Sequence, residues 1–406
     1  MSQTFQPDLY DYAFECDPVP TLNRLRAEDP VHWSRHGFWY LTRYDDVVAV
    51  LQDAKRFSSA AAGFGTSSVK AAADHAEGEK SFNRSLAASF NQMDPPDHTR
   101  IRLLVNNAFS RRRIEERQGR ILEVIGELLA AIKGKPQFNL VTDFAFHLPI
   151  IVASEIIGIP TKDRDLFREA FEGTAVLMAP KRSDESWAKG LAASKWIGRY
   201  LRELIEERRQ RPQDDLLSAL IAVEEEGSRL SEPEMVSAIS TIYTAAGTTT
   251  ERMISSGLFI LLSHPEQWAA LKADRALIAG AVEEILRFHH PLQSTTTNRR
   301  ATEDVTMRGK TIRAGDTVRV GLGAANRDPE KFPDGDRFDI RRRPSVPILS
   351  FGTGPHFCIG SALARFEGHL AIQAIAEHLP NIRLITTAPV KDPKRTDRYH
   401  EILAAA

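Results

Sequence analysis

Residues 351–360 read Phe351-Gly352-Thr353-Gly354-Pro355-His356-Phe357-Cys358-Ile359-Gly360, and a helical stretch starts directly after them. Glycines at these spacings let a backbone take positive φ and approach a ligand closely. A cysteine at a helix start meets unpaired N–H groups and the positive end of the helix dipole, both of which favour a thiolate. The neighbouring amides can donate to the sulfur and tune an iron site. The plain alternative is a buried free cysteine on a glycine-rich turn. Ten residues in one pattern argue against that alternative, and the rest of the chain is read outward from them.

Three further stretches carry chemistry. Glu283-Glu284-Ile285-Leu286-Arg287 puts Glu284 and Arg287 three apart, on one helix face, where they can pair. Taken alone this is an ordinary surface pair. Met93-Asp94-Pro95-Pro96-Asp97-His98-Thr99-Arg100-Ile101-Arg102 puts His98 and Arg102 four apart on a helix that Asp97 helps to cap. A solvated basic face is the alternative there. Ala245-Ala246-Gly247-Thr248-Thr249-Thr250-Glu251 sets three poor helix formers in the middle of a long helical pattern. A threonine hydroxyl in such a place can bond the carbonyl four residues back and bend the helix.

Composition narrows the class. The 406 residues are 42% hydrophobic and 26% charged, with a net charge of −1, so no global field recruits nucleic acid or an anionic membrane. Two cysteines far apart, Cys16 and Cys358, make no disulfide framework and suit a reducing cytosol. The N-terminus lacks the basic and apolar regions of a signal peptide, and no run approaches the ~20 apolar residues of a membrane span. A cytoplasmic protein is expected. Cys16 sits in no motif and is assigned no role.

The pattern of elements predicts a mostly helical fold with a minor β region. Val31–Ser34 and Phe38–Thr42 flank His36-Gly37 as a hairpin, and Pro20–Ala27 and Tyr44–Gln52 are helical. Ser58–Ser89, rich in Ala, Ser and Gly, reads as a mobile loop with short helices. Ser231-Glu232-Pro233-Glu234 reads as a capped helix start, and that helix runs to Ser263, before His264-Pro265. Short strands are expected at Thr295–Arg299, Val305–Met307, Thr311–Arg313 and Val318–Val320. A last helix is expected from Ile359 to about Glu377.

The cysteine loop resembles the haem-binding loop of the cytochrome P-450 family, Phe-Gly-x-Gly-x-His-x-Cys-x-Gly, at every fixed position. Ala362-Leu363-Ala364-Arg365-Phe366-Glu367 is similar to the helix that follows it, and the other motifs occur in the family's order along nearly the whole chain. The resemblance implies the mainly α cytochrome P-450 fold, with residues 1–406 forming one haem domain. It implies haem b, iron protoporphyrin IX, with Cys358 as iron ligand and Phe351, Gly352 and Gly360 shaping the loop around it. It places His98, Arg102, Arg299 and His356 at the haem propionates, and a third arginine, Arg337, beside Glu284 and Arg287. The implied reaction is insertion of one oxygen atom from O2 into a mainly apolar small molecule, by C–H hydroxylation or epoxidation, thiolate donation favouring O–O cleavage.

Electrons are expected from a ferredoxin and its reductase, docking on the cysteine side, where Arg111-Arg112-Arg113 and Arg100 are candidate contacts for an acidic partner. Substrate contacts are expected within Phe64–Phe90, Phe171–Met178, Ile239–Thr244 and Leu292–Thr297. The chain departs from the family in its oxygen groove, usually Ala-Gly-x-Asp/Glu-Thr. Aligned on Ala246-Gly247, Thr249 takes the acid position and Thr250 the threonine. Aligned without a gap from His264-Pro265, Thr248 takes the acid position and Thr249 the threonine, which is the preferred reading. Either way a threonine replaces the acid. Two alternatives stay open: a peroxide-driven haem enzyme, and a haem-containing binding protein without turnover.

Overall fold

The computed structural model describes residues 5–60, 89–109, 111–178, 183–223, 227–295, 297–392 and 395–405. Of the expected loop Ser58–Ser89, residues 61–88 lie outside the described residues, and with them most of the expected contact stretch Phe64–Phe90. Helices dominate, and the strands gather into small sheets.

A helix from Glu232 to Ser263 is the spine. At 1.5 Å per residue its 32 residues span about 48 Å. Its start is the capping box read from the sequence. The Ser231 amide and hydroxyl both donate to the Glu234 carboxylate, at 2.7 and 2.9 Å, and Pro233 sits in the first turn, where a missing N–H does no harm. It stops at His264 because Pro265 opens the next helix, Pro265–Ala273.

Two helices cross this central helix closely. One is Leu277–Phe288; the other is Ser361–His378, which follows the cysteine loop. A Cβ on Gly257 would lie 2.9 Å from Ile285, and one on Gly368 would lie 2.7 Å from Met253. Glycine therefore sets both crossings, and the buried faces around them join one hydrophobic core.

The hairpin forms as expected, Val31–Ser34 pairing antiparallel with Phe38–Leu41. It extends into a five-stranded sheet through Thr317–Val320, Arg299–Ala301 and Phe57–Ser58. The strand expected at Thr295–Arg299 starts only at Arg299. The preceding residues spend their hydrogen bonds locally: Thr295 Oγ1 donates to the Thr297 carbonyl at 2.9 Å, and Gln92 Nε2 donates to Thr297 Oγ1 at 3.2 Å. Such side-chain bonds compete with a sheet ladder.

Glu284 and Arg287 form a buried two-point pair, 2.7 Å at each contact, with both side chains at most 3% exposed. The third partner differs from the expected Arg337. Arg337 offers only its carbonyl to Arg287, at 3.2 Å, while its side chain is 69% exposed and bonds Asp339. Arg342 is the arginine that reaches Glu284, Nε to Oε1 3.1 Å, with its side chain 13% exposed. The turn around Gly335 and Arg337 points carbonyls inward at Arg287, so the Arg337 side chain is thrown outward.

Arg287→Ala should cost about 3–5 kcal/mol, because it strands a buried carboxylate. Arg342→Ala should cost about 1–3 kcal/mol and Arg337→Ala under about 1 kcal/mol. Urea unfolding of the three variants checks the order; a larger loss for Arg337→Ala than for Arg342→Ala would restore the original assignment.

Candidate functional site: a cysteine loop, a cationic cradle and an open notch in the central helix

The cysteine loop closes on itself. The Cys358 amide donates to the Phe351 carbonyl at 2.9 Å, the Phe357 amide to Gly354 at 3.0 Å and the Gly352 amide to Leu349 at 2.9 Å. Gly352 and Gly354 have φ of +67° and +74°, which is why glycine stands at both. At Gly354 space is also decisive, since a Cβ there would lie 2.4 Å from the Leu51 carbonyl oxygen. The Phe351 ring packs under Arg365, 4.3 Å from guanidinium carbon to centroid, and Arg365 pairs with Glu283.

The sulfur environment only partly matches the sequence reading. Burial pushes the Cys358 thiol up, against the amides of Gly360 and Ser361 and the cations Arg102 and Arg365, all of which pull it down. Helix-start amides are thus aimed at the sulfur as expected, but burial outweighs them. A bound cation is what would hold the thiolate.

Four groups able to carry positive charge converge beside the loop. Arg102, from the helix Asp97–Ala108, donates to the Phe357 carbonyl, and its charge acts on Cys358. His98 lies one turn earlier on that helix, its ring 4.0 Å from the ring of His356. His356 Nε2 meets Ser59 Oγ at 3.1 Å. Arg299, 4% exposed, bonds the carbonyls of Thr297 and Asn298 at 3.0 and 3.2 Å. Burial, with Arg102 adding, lowers the His98 pKa to about 4. Burial, with His98, Arg299 and Arg102 adding, lowers that of His356 to about 3. Arg299 is lowered to about 10 by burial. Asp94, held by the Ser59 amide at 2.8 Å, is the carboxylate acting on His98 and Arg299.

Both ring nitrogens of His98 are buried without a hydrogen-bond partner. At a pKa of about 4 the ring is neutral, with one donor and one acceptor unmet beside the cations Arg102 and Arg299, and such buried unpaired groups are costly unless a ligand meets them. A ligand bringing two carboxylates satisfies this cradle.

The central helix supplies the third part. Ser237, Glu251, Arg252 and Ser255 share a face with Thr241, Thr244 and Thr248, and each of those four is at most 4% exposed. Between them Thr244 and Ala245 are exposed, and Thr241, Thr248 and Thr249 are partly open. This helix face is thus buried at both ends and open in its middle. Thr249 Oγ1 donates to the Ala245 carbonyl, four residues back, at 2.7 Å. Thr250 is turned away and 4% exposed. Thr248 makes no side-chain hydrogen bond to any described residue.

The expected substrate stretch Ile239–Thr244 divides. Ile239, Ile242 and Tyr243 are buried core, the Tyr243 ring tilted against that of Phe171 at 4.6 Å between centroids, while Thr244 is exposed and Thr241 partly open.

A family model described as Cytochrome P450 matches residues 31–380. The chain belongs to the cytochrome P450 family. Cytochrome P450s are haem-thiolate enzymes, and relatives of this one include named oxygenases. The chain is 39% identical to the cytochrome P450 monooxygenase PikC of Streptomyces venezuelae over 378 residues, 91% of this chain and 86% of that protein. It is likewise 39% identical to the vitamin D(3) 25-hydroxylase of Pseudonocardia autotrophica over 397 residues, 94% and 91% of the two chains. Among solved structures it resembles P450BioI in complex with an acyl carrier protein carrying hexadec-9Z-enoic acid, with TM-score 0.86 at 32% identity over 97% and 99% of the two chains. It also resembles PksS, the cytochrome P450 of the Bacillus subtilis bacillaene polyketide synthase, with TM-score 0.87 at 32% identity over 98% and 99%. This P450 is therefore a haem-dependent monooxygenase. No helix among the described residues is long and apolar enough to cross a membrane.

The sequence missed Asp94 and Ser59, which join the cradle through the fold, and Arg342, one of three adjacent arginines that no pattern separates. The docking arginines change too. Arg100 is committed to Glu234, Arg112 pairs with Glu116 at 2.8 Å and Arg113 lies 3.8 Å from Asp214. The side chain of Arg111 lies outside the described residues.

Two outcomes follow from this geometry. Gly354→Ala should destabilise the loop by about 2 kcal/mol or more through its φ and the Leu51 contact, read as a fall in Tm with loss of haem retention. In haem-free protein, His98 and His356 refuse protons that the unfolded chain accepts, so stability should fall as pH drops below about 6.5, toward about 4. His98→Gln should flatten that slope in urea unfolding across the range; an unchanged slope would show that His98 does not carry it.

Proposed function

We propose that Cys358 is the proximal thiolate ligand of the haem iron, with Phe351, Gly352 and Gly360 shaping the loop around it. His98, Arg102, Arg299 and His356 hold the propionates. When bound, the haem supplies dioxygen activation and transfer of one oxygen atom to a C–H or C=C bond. The observation that carries this reading is the pair of orphaned His98 nitrogens inside a cluster of cations, next to a cysteine at which Gly360 and Ser361 aim their amides.

Thr249 is the groove threonine. Its bond to the Ala245 carbonyl occupies a helix acceptor and opens the notch, and its hydroxyl oxygen keeps lone pairs for a proton donor. Thr248 stands where the family has an acid, with a free hydroxyl that passes protons between waters but supplies none of its own. Thr250, buried behind them, supports the turn. The substrate is a mainly apolar small molecule lodged against the notch, and catalysis takes place in the cytoplasm. Electrons come from a separate ferredoxin and ferredoxin reductase on the cysteine side, where Leu103 and Phe357 are exposed apolar residues beside Arg102. The missing acid also favours a second reading, peroxide-driven turnover, which predicts product from peroxide alone at the rate of the redox-partner system.

The test is the carbon-monoxide difference spectrum of the reduced protein, beside that of Cys358→Ala. A strongly red-shifted Soret band, lost in the variant, is expected. A band typical of histidine ligation would overturn the assignment. Thr249→Ala should raise peroxide release per electron several-fold more than Thr250→Ala; the opposite order would move the groove by one residue.

A further inference from the structure

The notch is lined in an unusual way for a site that takes apolar molecules. Its open positions on the central helix include Thr241, Thr244, Ala245, Thr248 and Thr249. The aliphatic and aromatic residues of the same stretch, Ile239, Ile242 and Tyr243, are all turned into the core.

The hydroxyls differ in what they have left to offer. Thr244 Oγ1 donates its proton to the Ser240 carbonyl at 2.8 Å, so only its lone pairs remain, as an acceptor. Thr241 Oγ1 and Ser89 Oγ lie 3.1 Å apart. One of them donates to the other, and the second hydroxyl keeps an uncommitted proton. The Ser89–Thr241 pair is therefore a donor. Residues three apart on a helix have Cβ atoms about 5–6 Å apart. A single alcohol oxygen with one bond to each of two partners spans a distance of that order.

We propose that this P450 recognises a hydroxyl group on its substrate, which donates to Thr244 and accepts from the Ser89–Thr241 pair, so that alcohol-bearing apolar molecules are selected over their deoxy counterparts. The inference rests on the proposed reading of the notch as the substrate-facing side of the haem pocket. A deoxy ligand covers the same groups and strips their water without replacing its hydrogen bonds. A buried donor left unpaired in this way weakens binding by about 10- to 100-fold. Thr241 and Thr244 are thus specificity-determining residues, separate from Thr248 and Thr249.

The experiment uses haem-loaded protein and reads Kd from the low-to-high-spin absorbance change. Two matched pairs serve as probes: ricinoleate against oleate, and testosterone against the deoxy steroid lacking its hydroxyl. In at least one pair the alcohol should bind about tenfold or more tightly than its partner. The double variant Thr241→Val/Thr244→Val keeps both β-branched shapes. It should abolish the preference: the alcohol loses its partners, while the deoxy ligand no longer strands buried hydroxyls and binds at least as tightly as before. Ser89→Ala should have a smaller effect, since Thr241 then gives its own proton to the ligand. Equal affinities within both pairs, no spectral change with either alcohol, or a preference that survives the double variant would each overturn the proposal. The carbon-monoxide spectrum of the same samples separates these failures from failure of the haem-site reading, which would remove the red-shifted band itself.

Discussion

The buried pair of Glu284 and Arg287 holds in place the segment that leads to Cys358. Charges taken out of water must be fully hydrogen-bonded, and here that need is met by main-chain carbonyls far along the chain. Arg287 donates to the carbonyls of Asn326 and Gly335 at 3.0 and 2.8 Å. The Asn326 side chain then accepts from the Leu349 amide at 2.7 Å and donates to Ser350 Oγ at 2.9 Å, and Ser350 Oγ donates to the Leu286 carbonyl at 2.8 Å. His290 takes the Leu292 amide on Nδ1, so Nε2 carries the proton that goes to the Ser350 carbonyl at 3.0 Å. The residue after this knot is Phe351. An ion pair on one helix thus sets the register in which the cysteine loop begins.

The two glycine crossings act from the other side. Because Gly257 and Gly368 let three helices meet at close range, the helix behind Cys358 is pinned to the central helix just beyond its row of threonines. The loop, the cradle and the notch belong to different parts of the chain. The buried ion pair and the helix crossings that place them tolerate little displacement. The electrostatics follow from this placement. Burial raises the Cys358 thiol and lowers His98 and His356, so these three groups are held uncharged beside the cations Arg102 and Arg299.

Much of this was legible in the chain. The cysteine loop, the capping box at Ser231, the hairpin at His36-Gly37 and the Glu284–Arg287 pair are local. Their physics lies within ten residues, through backbone conformation, capping and helix spacing, so the letters alone identify them. The same holds for the choice among the threonines only in part. Spacing offered two alignments. Burial distinguishes them, Thr249 lying on a partly open side of the helix and Thr250 in the core, 4% exposed.

What the sequence by itself determined is the family, through the resemblance of its short motifs, and the mainly helical class, through periodicities that the backbone turns directly into shared faces. Which distant groups meet was decided only by the tertiary structure. Arg342 rather than Arg337 reaches Glu284, because a turn points one set of carbonyls inward and ejects the nearer side chain. Arg100 is drawn off to Glu234 rather than left for a partner, and Ser89 is brought onto Thr241 across 152 residues. Pairing over such separations depends on where whole helices cross and on what burial leaves unsatisfied, and neither quantity is carried by any local stretch of the chain.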